Sequence, residues 1–156
     1  MSPRRIVDYR PDLAGAFKAL NEAWIIRLFT LEPLDRAVLD DPQHAIIDKG
    51  GHILFAEDGG ETVGCVALKP LADGGFEVAK MAVVEGHKGR GLGRALMQAC
   101  VDRARQLGAP RLYLETNSAL APALGLYRAF GFQDLTGMVR GPDDYARVDV
   151  WMELML

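Results

Sequence analysis

The chain has 156 residues, 49% of them hydrophobic and 25% charged, with a formal net charge of −3. That length suits one domain, 1–156, of ordinary composition with a substantial core, and the slight negative charge gives no overall attraction to nucleic acid. The polar start MSPRRIVDYR lacks an apolar signal core, and no apolar run approaches the roughly 20 residues needed to span a bilayer, so a cytoplasmic protein with no membrane partner is expected. Cys65 and Cys100 have no metal-ligand spacing around them and read as buried thiols, so no metal is expected.

In chain order, residues 4–10 read as a short strand. Asp12 is placed to cap a helix running to about Phe29, with Leu13, Phe17, Leu20, Trp24 and Leu28 at three- and four-residue steps. Glu32 to Asp41 reads as a second helix, opened near Pro33 and closed by Pro42. HILFAED and TVGCVALKP, split by Gly59-Gly60, read as a hairpin. The turn ADGG at 72–75 then leads into a third antiparallel strand, FEVAKMAVV. After residue 91 the period changes: Leu92, Leu96, Ala99, Cys100, Arg103 and Leu107 keep helical spacing up to Gly108. RLYLET at 111–116 is a strand, 119–130 a helix with Pro122 in its first turn, and stretches around 132–137 and 146–155 are closing strands. The order β-α-α-β-β-β-α-β-α-β-β predicts a single mixed α/β domain: a mostly antiparallel central sheet flanked by helices.

Between the third strand and the following helix lies HKGRGLGRAL, with Gly89, Gly91 and Gly93 at alternate positions and Lys88, Arg90 and Arg94 among them. Small residues, backbone amides and a helix N-terminus suit a phosphate. A nucleoside-triphosphate loop would need Lys and Ser/Thr where Leu92 and Gly93 stand. A dinucleotide fingerprint would need G-x-G-x-x-G early in the chain. Here the spacing is G-x-G-x-G, past the midpoint, although Glu115 supplies an acidic residue downstream.

Lys88 to Gly93 resembles [Q/R]-x-x-G-x-[G/A], the acyl-CoA signature of the GNAT superfamily of N-acetyltransferases, with Lys88 at a position usually held by Gln or Arg. Lysine there keeps the charge and loses the planar fork. FEVAKMAVVEGHKGRGLG resembles that family's fourth strand and loop, and LYLETNSALAPALGLYRAFGF its later strand, Asn, Tyr-bearing helix and Gly-Phe, so the likeness covers residues 76–132. It implies an acyl-CoA N-acyltransferase fold, acetyl-CoA as cosubstrate without a metal, and transfer of acetyl to a primary amine of a small molecule or amino acid. A peptide lysine acetyltransferase or a non-catalytic acyl-CoA-binding module are the alternatives. Homodimers are common in the family, though no residue here specifies one. By resemblance Met81, Ala82 and Val83 pair with the pantetheine arm, residues 88–94 (Leu92 included) hold the pyrophosphate, and Asn117 bonds the coenzyme or a nearby loop, unless it only caps the next helix. Tyr127 protonates the departing thiolate.

The amine must lose a proton, and Glu77, Glu32 or a water chain can take it. Simple alternation puts Glu77 on one face with Ala79, Met81 and Val83 unless a bulge intervenes. Glu32, Asp35, Asp40 and Asp41 form an acidic stretch that reads as a solvated face or as an attraction for a cationic amine. The resemblance also implies that the late strands border the acceptor pocket, so Arg147 and Trp151 are expected near it, where an arginine could grip a substrate carboxylate.

Overall fold

The structure, a computed structural model, describes residues 4–87, 89 and 91–156. Lys88 and Arg90 of the glycine loop lie outside the described residues. Seven strands form one sheet: β1 (Arg5–Asp8), β2 (His52–Asp58), β3 (Glu61–Pro70), β4 (Phe76–Val83), β5 (Arg111–Thr116), β6 (Gln133–Asp134) and β7 (Val150–Met155). Their spatial order is β1-β2-β3-β4-β5-β7-β6, and every neighbouring pair is antiparallel except β4 and β5. The helices are α1 (Ala14–Leu28), α2 (Pro33–Leu39), α3 (Pro42–Ala45), α4 (Leu92–Gln106) and α5 (Ala121–Ala129). Among the described residues, no helix is long and apolar enough to cross a membrane.

The expected elements form in the expected order, with several corrections. Asp12 does not cap α1: it sits inside a 3-10 turn, Pro11–Leu13, and pairs with Arg10, so the helix opens at Leu13 without a side-chain cap. The buried stripe of α1 is Leu13, Phe17, Asn21 and Ile25, while Leu28 is half exposed. Asn21 escaped the apolar pattern because it is polar. Its amide is fully satisfied inside, donating to the Phe17 carbonyl (2.9 Å) and Cys65 Sγ (3.4 Å) and accepting from Trp24 Nε1 (3.1 Å). Pro42 ends α2 and also opens α3, a four-residue helix capped by the Asp41 side chain. The last strand begins at Val150, leaving residues 146–149 as loop.

Two apolar layers flank the sheet. Against one face, α4 buries Leu92, Leu96, Met97, Cys100, Val101 and Ala104, joined by Leu112, Leu114 and Leu124. Against the other, α1, α2 and α3 cover Ile53, Phe55, Cys65, Ala67 and Ala82. Gly59 and Gly60 both take positive φ (62° and 84°), as a two-residue hairpin between right-twisted strands demands.

Two departures from regular sheet geometry shape the middle of the molecule. First, β4 and β5 pair only at Phe76↔Leu112 and Glu77↔Tyr113, and diverge beyond. Second, the β3–β4 register shifts between Cys65↔Ala82 and Ala67↔Ala79, so β4 carries an extra residue. Lys80 absorbs it at φ 55°, a left-handed conformation costing roughly 1–2 kcal/mol for a residue with a Cβ. Phe76 and Val78 before the bulge, and Met81 and Val83 after it, therefore all join the α4 side. Glu77 thus does not share a face with Met81 and Val83, because the bulge overturns simple alternation.

Leu96 is fully buried at the centre of the α4 layer. Leu96→Ala is expected to cost about 2–5 kcal/mol, seen as a lower urea midpoint at unchanged m-value.

Candidate active site

Where β4 leaves β5, a cleft of about 530 Å³ opens. One wall is β4 from Glu77 to Val83, and the other is the end of β5 with Asn117 and the start of α5. Gly89, Gly91, Leu92 and Gly93 line one end. Gly89 and Gly91 hold φ of 82° and 76°, conformations that glycine reaches at little cost, and Gly91 opens the 15-residue α4. Gly93 approaches Leu126 of α5 so closely that an added Cβ would stand 3.4 Å from it. Arg94 is exposed, with its guanidinium 5.5 Å from the Phe130 ring, and is not among the lining residues.

Tyr127 lines the cleft from α5, its ring packed 6.0 Å from that of Phe132. Burial, with a smaller contribution from Cys100, pushes its hydroxyl up to about 12, so it stays protonated at neutral pH. Burial likewise pushes Cys65 and Cys100 up to about 12, leaving inert thiols. Asn117 spends its amide within the protein, donating to the Arg147 carbonyl (2.6 Å) and accepting from the Ala119 N–H (2.8 Å). It therefore closes the turn before α5 and ties that turn to the 140s loop.

At the opposite end of the cleft the bulge presents Lys80. Its ammonium contacts Asp35 Oδ1 (2.5 Å) and the Tyr145 hydroxyl (3.2 Å). Asp35 is fully buried on α2 and accepts two further bonds from Arg147, Nη2 to Oδ1 at 2.6 Å and Nη1 to Oδ2 at 2.9 Å. The Glu32 N–H adds a fourth at 2.9 Å. Glu32 in turn accepts from Arg147 Nη1 (3.3 Å) and, through both carboxylate oxygens, from the Ala146 N–H (3.0 and 3.1 Å). The Tyr145 ring lies 4.3 Å from the Lys80 ammonium and 4.5 Å from the Arg147 guanidinium. Two cations are thus matched by two carboxylates, which is what lets such charges stay buried.

Burial pushes the Asp35 carboxyl up, but the bonds from Arg147, Lys80 and the Glu32 N–H outweigh it and hold the pKa at about 2. Glu77, on the same wall, is raised by burial and by the charges of Glu115 and Asp144, against the pull of Lys69 and Lys80. Glu115 accepts a bond from the Tyr113 hydroxyl (2.8 Å).

The cleft therefore brings together Glu77, Met81, Ala82, Val83, Gly89, Gly91, Leu92, Gly93, Asn117, Tyr127 and Arg147. It does not bring in Trp151, which pairs with Glu115 across β5 and β7 and is buried without lining the cleft. Arg147 is not free to grip a substrate carboxylate, because its fork is already closed on Asp35. Glu32 is likewise engaged through both oxygens. Sequence reading passed over Lys80 and Tyr145, and weighed Glu115 only as the acidic residue of a dinucleotide fingerprint. Lys80 left one trace, a lysine in the apolar second half of β4, whereas Tyr145 sits in a loop with no period to betray it.

Because the folded pKa of Asp35 is depressed, its ionisation adds stability at neutral pH that is lost as pH falls from the unfolded value of 3.8 through about 2. The shift corresponds to roughly 2 kcal/mol, and removing one partner of such a buried network costs about 3–5 kcal/mol. Asp35→Asn is expected to lose that amount in urea unfolding at pH 7, with the gap to wild type narrowing as the titration is taken to pH 2.

The family model for the acetyltransferase (GNAT) family matches residues 16–132. A streptothricin acetyltransferase of Streptomyces lavendulae is 44% identical over 55 residues, 35% of this chain and 29% of that protein. An IAA acetyltransferase of Azospirillum brasilense is 39% identical over 90 residues, 57% of this chain and 56% of that protein. The chain thus spans about half the length, or less, of these curated relatives. The structure of yncA from Salmonella typhimurium with its cofactor acetyl-CoA superposes at TM-score 0.77 and 24% identity, covering 99% of this chain and 94% of that one. With a splayed β4–β5 pair, a glycine loop opening α4 and a family match across most of its length, the chain belongs to the acetyltransferase (GNAT) family.

Proposed function

We propose that this protein transfers the acetyl group of acetyl-CoA directly to a primary amine of a small molecule. One observation carries the reading: β4 parts from β5 after Glu77↔Tyr113, so the cleft between them has an open strand edge, a glycine-lined end and two proton-bearing side chains on its walls. An open edge accepts an extended amide chain as an added strand. The left-handed glycines and the α4 N-terminus suit a pyrophosphate beyond it. The names of the two acetyltransferase relatives, and the acetyl-CoA held by the structural neighbour, support this assignment.

Acetyl-CoA, when bound, supplies the activated thioester. In the transfer an N–C bond forms as the C–S bond breaks. Glu77 takes the proton leaving the amine, since burial raises its carboxylate toward the basicity the task needs. Tyr127, protonated at neutral pH and standing on the cleft wall, gives its hydroxyl proton to the departing thiolate. Glu32 is unsuited to act as the base, its two oxygens being held by the Ala146 N–H and Arg147.

The direct test is thiol release from acetyl-CoA, with mass detection of product, across a panel of amines. Acetylated product supports the reading, and binding of acetyl-CoA without turnover on any amine points to a non-catalytic coenzyme-binding module. Tyr127→Phe is expected to lower kcat about 100-fold or more while acetyl-CoA affinity is unchanged. As a base, Glu77 must be deprotonated, so kcat/KM should rise with pH along a limb displaced above 4.5. Glu77→Gln should abolish that limb, and a pH profile that keeps its wild-type shape and height would assign the base elsewhere.

A further inference from the structure

We propose that the amine acceptor carries a second cationic centre and no carboxylate, which makes it a small diamine or polyamine, with Glu115 holding the nitrogen that does not react. The inference rests on the acetyl-transfer reading of the same cleft and narrows its substrate.

The charges available to a substrate decide the matter. Lys80 and Arg147 line the acceptor end, yet both are turned onto the wholly buried Asp35, and Arg147 also onto Glu32. Tyr145 covers both cations, with its ring 4.3 Å from one and 4.5 Å from the other. A substrate carboxylate would have to break this closed network to reach either. Arg27, also on the lining, pairs with Glu85 at 3.3 Å. Lys69, also on the lining, stands opposite Glu77 in the β3–β4 register and acts on its carboxylate through charge.

What faces the space is acidic. Glu77 projects from β4 and Glu115 from β5, on the two walls that splay apart, and Asp144 lies close enough to raise the Glu77 carboxyl further. Glu115 accepts only the neutral Tyr113 hydroxyl among its described hydrogen bonds, so its charge has no cationic partner there. Two carboxylates on opposite walls divide the work. Glu77 must accept a proton and so needs the reacting nitrogen neutralised, while Glu115 is left to attract a nitrogen that stays charged. A carboxylate-bearing amine would instead meet repulsion from both walls.

The test is calorimetric titration of three amines sharing a five-methylene chain into protein saturated with coenzyme A: 1,5-diaminopentane, hexylamine and 6-aminohexanoate. Coenzyme A itself is titrated first. The diamine is expected to bind about 10-fold or more tightly than hexylamine, and 6-aminohexanoate more weakly than both. In Glu115→Gln, which keeps an acceptor for Tyr113, the diamine should lose that advantage while hexylamine is unaffected. Equal affinity for diamine and hexylamine, 6-aminohexanoate binding as well as hexylamine, or silence from all three on protein that binds coenzyme A would each overturn the proposal. Failure of coenzyme A itself to bind would instead bring down the acetyl-transfer reading, and the proposal with it.

Discussion

A carboxylate with no access to water, Asp35, sits between a lysine and an arginine drawn from distant parts of the chain, and the acceptor half of the cleft is arranged around it. Lys80 comes from the middle of the sheet, Asp35 from the second helix and Arg147 from the loop before the last strand. What joins them is charge removed from solvent, where leaving any one group unpaired is costly. Glu32 completes the balance and draws in the Ala146 backbone, so four side chains fix a helix, a strand and a loop.

The same network supports a locally unfavourable backbone. A non-glycine residue at φ 55° relaxes unless its surroundings hold it there, and Lys80 is held at its ammonium by Asp35 and Tyr145. Its carbonyl is held as well, accepting from Cys65 Sγ at 3.6 Å, with Asn21 fixing the thiol from α1. Asn21 and Cys65 are therefore structural parts of the bulge, far from solvent and without chemistry of their own. Buried polar residues of this kind are costly individually and compatible with a stable core only because each donor and acceptor finds a partner.

Much of this was legible in the sequence, and the exceptions follow a rule. Strands and helices announced themselves through period and punctuation: Gly59-Gly60 at the hairpin, Gly108 and Gly131 past helix ends, both at positive φ. The glycine loop was legible because phosphate recognition depends on backbone, which glycine spacing reports directly. The acceptor side was not, since its residues are specified by contacts between segments over a hundred positions apart, such as Asp35 with Arg147. Alternation misplaced Glu77 because a single inserted residue in β4 leaves no trace in composition. Trp151 and Arg147 were near the site in topology, yet one is turned into packing and the other is consumed by an internal partner.

The bulge has an evolutionary consequence. Side chains along a strand alternate, and the paired residues on either side of the bulge keep step with β3, so the extra residue stands outside the ladder without turning its neighbours over. Loss of Lys80 would restore regular pairing with β3 and leave Glu77 opposite Lys69, yet it would take away the ammonium that answers the buried Asp35. A substitution of Lys80 alters that network by degrees, whereas loss of the residue removes both the bulge and its cation. Lineages of this chain should therefore tolerate insertions and deletions in the ADGG turn far more readily than within β4, and a relative lacking the extra residue would have to answer Asp35 with a cation from another segment.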